Sequence, residues 1–170
     1  MKILKVNTRP TQNKVKQAIF NIFQNEIINA EFLDLFAGKG TIGLESLNKG
    51  AKKSVFVEND PLCFKNLVQH IRKLKIEDKT EIIKRDVPQA IEMLFQNGNK
   101  YDFIFADPPY HENLYEKILT GLVKYDILNK SGFLILEHYW KEVLPEENDV
   151  FKLWKKKKYG DTVLSIYIKK

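Results

Sequence analysis

The chain has 170 residues, is 44% hydrophobic and carries a formal net charge of +6, which suits one domain with a sizeable core. Its single cysteine, Cys63, excludes an internal disulfide framework; no apolar run approaches the roughly 20 residues of a membrane span, and Met1-Lys2-Ile3-Leu4-Lys5 is too short and polar for a signal peptide, so a soluble, cytoplasmic protein is expected. The charge is uneven, with a net +4 over residues 1–30, −4 over residues 31–149 and +6 over residues 150–170.

Residues 1–10 form a short basic lead ending in Asn7-Thr8-Arg9-Pro10. Thr11 can cap a helix in which Val15, Ala18, Ile19, Ile22 and Phe23 recur at spacings of three and four, with Lys14 and Lys16 on the other face. Pro10 stiffens the backbone at Arg9, which would hold a guanidinium toward a phosphate or carboxylate; an ordinary surface arginine is the plainer alternative. This lead and helix are expected to be part of the same domain as residues 31–170.

Phe32-Leu33-Asp34-Leu35-Phe36 reads as a buried strand running into Ala37-Gly38-Lys39-Gly40-Thr41-Ile42-Gly43. The glycines allow a tight turn and a close ligand approach, and a helix from Thr41 to about Asn48 presents free N–H groups there. Ser54-Val55-Phe56-Val57-Glu58 is a second strand with an acid at its end, 20 residues after Gly38, a spacing that suits a carboxylate accepting ribose hydroxyls. The glycine spacing alone also admits a nicotinamide or flavin dinucleotide. Asp34, however, brings charge close to where a pyrophosphate would lie, and suits a cofactor carrying an ammonium.

Pro61 starts a helix with Phe64, Leu67, Val68, Ile71 and Leu74 on its buried side; Cys63, in its first turn, is expected to pack rather than react. Thr80–Lys84 is a third strand, after which Arg85-Asp86-Val87-Pro88 opens a helix carrying Ala90, Ile91, Leu94 and Phe95. Tyr101–Ala106 has the continuous apolar character of a strand buried on both faces, and stops at Asp107-Pro108-Pro109-Tyr110. The prolines fix φ and remove two donors, so the chain leaves the sheet in a rigid arc that holds a carboxylate, carbonyl acceptors and an aromatic ring. Such acceptors suit a flat substrate with an N–H donor, such as the exocyclic amine of a nucleobase. Glu58, Asp86 and Asp107 thus reach one rim, where open α/β sheets place their ligands.

A helix over about 113–123, a turn at Asn129-Lys130-Ser131-Gly132 and a strand over Phe133–Glu137 follow, with His138, Tyr139 and Trp140 after the strand. Val150–Trp154 and Thr162–Ile168 read as a hairpin around Tyr159-Gly160-Asp161, in which Lys155, Lys156, Lys157 and Lys158 are either an exposed end or a phosphate contact. His70, His111 and His138 lack metal-ligand spacing, so no metal is expected.

Strand, helix and acid recur in the order of a doubly wound, Rossmann-like sheet. Leu33–Glu45 together with Asp107-Pro108-Pro109-Tyr110 resembles the class I S-adenosylmethionine-dependent methyltransferases that modify exocyclic amines. Arg9-Pro10-Thr11 before the first helix, Ala18-Ile19-Phe20-Asn21 near its end and Tyr159-Gly160-Asp161-Thr162 in the last hairpin narrow this to the RsmD family, which methylates N2 of a guanine in small-subunit (16S) ribosomal RNA. The resemblance spans Arg9 to Tyr167 and implies an α/β fold, a mostly parallel seven-stranded sheet with an antiparallel C-terminal hairpin strand, residues 31–170 forming the methyltransferase domain. The Asp-Pro-Pro-Tyr box alone also suits adenine-N6 methyltransferases, and a dinucleotide oxidoreductase or a non-catalytic RNA-binding module are further alternatives.

Carried onto matching positions, the resemblance implies that Asp34, Phe36 and the Gly38–Gly40 backbone hold the methionine part of S-adenosylmethionine, Glu58 its ribose, Asn59, Asp86 and Val87 its adenine. Asp107, Pro108, Pro109 and Tyr110 would act on the target base, Asp107 also bordering the cofactor and Tyr110 stacking on the base. Lys39 is expected to point outward. Arg9, Thr11 and Lys155–Lys158 would contact ribosomal RNA, free or in a small-subunit particle, with the enzyme a monomer.

Overall fold

A computed structural model describes residues 10–109 and 114–170 of the chain. Arg9 and Tyr110 lie outside these residues, as does the side chain of Thr11.

Five strands build the parallel part of the sheet: β1 (Glu31–Asp34), β2 (Lys53–Val57), β3 (Thr80–Ile83), β4 (Tyr101–Ala106) and β5 (Leu128–Tyr139). Helices α1 (Pro10–Ile22), α2 (Thr41–Asn48), α3 (Pro61–Leu74), α4 (Val87–Gln96) and α5 (Leu114–Lys124) alternate with them, and β6 (Phe151–Tyr159) and β7 (Thr162–Lys169) close the chain. The strands lie in the order β3-β2-β1-β4-β5-β7-β6, with β7 antiparallel to both β5 and β6. This is the expected doubly wound sheet. The order reverses direction at β1, between β2 and β4, so the ends of β1 and β4 flank the topological switch point.

Each face is covered because strand alternation sends successive side chains to opposite sides. Leu33, Ile104, Ala106, Leu134 and Leu136 pack with Ala90, Ile91 and Leu94 of α4 and Ile118 and Leu122 of α5. Phe32, Phe103, Phe105 and Ile135 meet Val15, Ile19 and Phe23 at the other face. Phe23 is fully buried, its ring 5.0 Å from Phe103 and 4.6 Å from Phe133, so removing it would cost about 3–5 kcal/mol. Leu44, Phe56, Leu67 and Ile71 form the layer under α2 and α3.

Two expectations need correction at the C-terminal end. Asn129-Lys130-Ser131-Gly132 is not a turn between elements: β5 begins at Leu128, and the excess residues are accommodated by a register shift between Tyr101 and Phe103 of β4, which pair with Leu128 and Phe133. The same strand continues through His138 and Tyr139, whose partners on β7 are Val163 and Thr162. Likewise, Lys155–Lys158 are not the end of the hairpin but the body of β6, paired with Ile166, Ser165, Leu164 and Val163. The turn lies at Gly160, whose φ of 62° is left-handed. β6 is the outer edge of the sheet, where charged side chains discourage further strand pairing.

Candidate active site

The glycine turn is built on close backbone packing. Gly40 has a φ of 73°, and a Cβ there would come within 2.6 Å of Leu67 Cδ1; Gly38, at a φ of 52°, has nothing within 4 Å of the corresponding position and faces open space. Lys39 between them is exposed, as expected. Gly43 N–H, in the first turn of α2, donates to Oδ2 of Asp34 at 3.2 Å. The second carboxylate oxygen of Asp34, Oδ1, is buried with no hydrogen-bond partner. Burial pushes this acid up to about 7 against the opposing effect of the Gly43 and Phe36 backbone N–H groups.

Glu58 leaves the end of β2 and ties the turn down. Its Oε2 accepts from Gly38 N–H and its Oε1 from Asp60 N–H, both at 2.7 Å. On the next loop Asn59 Nδ2 donates to Asp86 Oδ1 at 2.6 Å, joining the ends of β2 and β3. Asp86 precedes α4 without capping it through its side chain, which leaves that carboxylate committed only to Asn59 among the described residues.

A cavity of about 1140 Å³ opens along these strand ends. Phe36, Glu58, Asn59, Asp86, Val87, Asp107, Pro108 and Pro109 line it, eight of the residues that sequence reasoning assigns to the site. Asp34, Gly38 and Gly40 are not among its lining residues: Asp34 lies beneath it, within electrostatic range of Asp107 and Glu58. Lys155–Lys158 do not line it either. Lys158 instead places its ammonium 4.6 Å from the ring centre of the half-exposed Trp140, whose backbone N–H donates to the Asp161 carbonyl at 2.9 Å. Gly160, Asp161 and Thr162 belong to the cavity wall, so the lysine strand and the cavity meet at the hairpin turn.

Glu137 is an acid of the cavity wall that the sequence does not single out; Arg85, Lys117 and Asp161 are further charged lining residues of that kind. Glu137 is buried and lines the cavity from β5. Ala106 pairs with Leu136, so Asp107 and Glu137 follow at the same level on neighbouring strands, which lie about 4.8 Å apart in a sheet. Burial raises Asp107 to about 6; burial, then Asp107 and then Asp34, raise Glu137 to about 8. The acids therefore oppose one another's ionisation, an arrangement stabilised by a cation or by N–H donors. Cys63, by contrast, is held toward its thiol form by burial and by the nearby acids, which agrees with packing. No cluster of His, Cys, Asp and Glu suited to a metal occurs among the described residues.

The family model for conserved hypothetical protein 95 matches residues 1–168. Ribosomal RNA small subunit methyltransferase D of Buchnera aphidicola subsp. Acyrthosiphon pisum is 32% identical over 165 residues, covering 95% of this chain and 83% of that protein. Its namesake in Haemophilus influenzae is 33% identical, covering 76% and 67%. The solved yhhF chain of Escherichia coli superposes with a TM-score of 0.84 at 26% identity, covering 98% and 90%. At 19% identity, a Thermus thermophilus 16S rRNA N2 G1207 methyltransferase solved with AdoMet and guanosine has a TM-score of 0.76 over 96% of this chain and 44% of that one, and shares the class I fold.

Proposed function

The chain belongs to the conserved hypothetical protein 95 family, the RsmD-type ribosomal RNA methyltransferases, and from that membership we propose that it transfers the methyl group of S-adenosylmethionine to the exocyclic N2 amine of a guanine in small-subunit ribosomal RNA. The observation that carries this reading is an acidic cavity lined by Asp107-Pro108-Pro109 within electrostatic range of Asp34, whose buried Oδ1 has no hydrogen-bond partner. One end of the cavity suits a cationic cofactor, the other an amine.

The residues fit the cofactor. Asp34 Oδ1 lacks a partner and would accept from its ammonium, and the open approach to Gly38 leaves room beside the turn. Glu58, whose oxygens each hold one backbone N–H, retains lone pairs for the ribose hydroxyls; Asp86 and Val87 would face the adenine, with Asn59 beside it. When bound, S-adenosylmethionine supplies a sulfonium methyl group already activated for displacement.

The protein's part is to prepare the amine. The N2 lone pair is delocalised into the purine. Asp107 and the Pro108 carbonyl would accept its two hydrogens, turning the nitrogen toward tetrahedral geometry and directing the lone pair outward. Asp107 then stabilises the positive charge that develops on the nitrogen, and the surplus proton leaves after the C–N bond forms. Tyr110 would stack on a base drawn out of the RNA, an interaction worth about 1–3 kcal/mol. Lys155–Lys158 and Arg9 would meet phosphates, with Thr11 nearby, as expected of a chain whose ends are basic.

The test is transfer from labelled S-adenosylmethionine to undermethylated small ribosomal particles, with naked ribosomal RNA and DNA in parallel and nucleoside analysis of the product. N2-methylguanine in particle or RNA is the expected result. N6-methyladenine, or no transfer to any substrate, would overturn it.

A further inference from the structure

Resting on the guanine-N2 reading above, we propose that Glu137 is the specificity-determining residue of the base pocket, its carboxyl oxygen accepting the N1–H of the target purine while Asp107 holds the neighbouring N2 amine. Three observations lead there. Glu137 is 8% exposed and lines the same cavity as Asp107 and Pro108. It follows Leu136 as Asp107 follows Ala106, so the two acids stand side by side where β4 ends against the continuing β5. Its backbone carbonyl is anchored by the buried Tyr115 hydroxyl at 2.9 Å, while no described side chain donates to its carboxylate.

A carboxyl on the cavity wall whose lone pairs no described residue engages keeps them for a ligand. The chemistry of the completing group follows from the spacing. Guanine is the common base that presents two adjacent N–H donors, N1–H and N2–H₂, along one edge, and two neighbouring carboxyl groups match such a pair. Adenine sets an acceptor, N1, beside its amine, and above about pH 8, where Glu137 is ionised, its carboxylate facing that acceptor finds no hydrogen to receive. The Asp-Pro-Pro arc grips an amine of either base; Glu137 decides which one. Among the cavity's other acids, Glu58 is held by Gly38 and Asp60 N–H and Asp86 by Asn59, whereas Glu137 has Asp107 as its nearest charged influence; Lys117 and Arg85 are donors on the wall.

The experiment measures nucleoside binding at pH 8.5 to the protein saturated with S-adenosylhomocysteine, comparing guanosine, adenosine and 2-aminopurine riboside. The last keeps the N2 amine but has an acceptor at N1. The wild type is expected to favour guanosine over 2-aminopurine riboside by about tenfold or more, within the range for a well-formed base contact. Glu137→Gln, whose amide can donate or accept, narrows that ratio to within about threefold, and Glu137→Ala abolishes it. Unchanged S-adenosylhomocysteine affinity in both variants shows that they are folded. A ratio that is the same in all three proteins overturns the inference, as does a wild type that transfers methyl to guanine N2 in RNA yet binds no guanosine at millimolar concentration. A preference for adenosine, or N6-methyladenine as the product in RNA, overturns the guanine reading itself, so the two failures are distinct.

Discussion

The backbone N–H of Gly38 donates to Oε2 of Glu58 across 20 residues of chain, at 2.7 Å. The acid at the end of β2 therefore shapes the glycine turn at the end of β1 as well as offering lone pairs to a ribose. Glu58→Gln keeps one carbonyl oxygen and must give up either Gly38 or Asp60; Glu58→Ala gives up both. The expected reductions in S-adenosylmethionine affinity are about tenfold for Gln and a hundredfold for Ala, each broken charge-assisted bond costing roughly 1.5–3 kcal/mol. Titration calorimetry measures both, and equal affinities for the two variants would show that Glu58 acts through ribose contact alone.

Asp34 couples stability to pH in the unusual direction. Its pKa is raised by burial from 3.8 to about 7, so the folded protein holds this proton more tightly than the unfolded chain. The penalty is absent below pH 3.8, grows as pH rises and is complete above about 7, where it is of order 4 kcal/mol. Asp34→Asn should raise the melting temperature of the ligand-free protein by several degrees at pH 8 and leave it unchanged or lower at pH 4, while abolishing S-adenosylmethionine binding. A variant that melts lower than wild type at pH 8 would contradict this.

For Asp107 the expectation is separation of binding from chemistry. Asp107→Ala should leave S-adenosylmethionine affinity within about threefold and lower the transfer rate by a thousandfold or more, about 4 kcal/mol of transition-state stabilisation. Because burial raises this acid to about 6, single-turnover transfer by the wild type should fall as pH drops through 6, when the acceptor becomes protonated. Burial alone raises Asp107, and Glu137, raised to about 8, is still uncharged near pH 6, so Glu137→Gln should leave this limb near 6. A rate independent of pH between 5 and 7 would exclude an ionised Asp107 from the reaction.

Much of this architecture is legible in the sequence because buried parallel strands leave continuous apolar runs. Tyr101–Ala106 has the expected boundaries, and Glu58 and Asp107 announce the rim by directly following β2 and β4, with Asp86 three residues after β3. What stays hidden has physical reasons too. Glu137 ends no run, since β5 continues through His138 and Tyr139, and nothing local marks it as neighbour to Asp107; only the β4–β5 register does. Asn129–Gly132 carries turn chemistry that the fold absorbs within a strand by a register shift. In β6, four successive lysines erase the apolar–polar alternation by which a strand is recognised.

That last strand makes a prediction about the RNA surface. Lys155 and Lys157 pair with Ile166 and Leu164, whose side chains pack on the face covered by α1, whereas Lys156 and Lys158 pair with Ser165 and Val163 and alternate to the opposite side. Lys158 sits over Trp140 beside the hairpin turn that walls the cavity. If phosphates reach the active site past this turn, the Lys156→Ala, Lys158→Ala double variant should weaken RNA binding more than the Lys155→Ala, Lys157→Ala one. Removing one lysine–phosphate pair lowers the slope of log affinity against log salt by about 0.7 to 0.9. Binding measured from low to physiological salt should therefore give a shallower slope for the first double variant, with S-adenosylmethionine affinity unaltered in both. Equal slopes, or a larger change for the second double variant, would move the RNA path to the α1 face of the sheet.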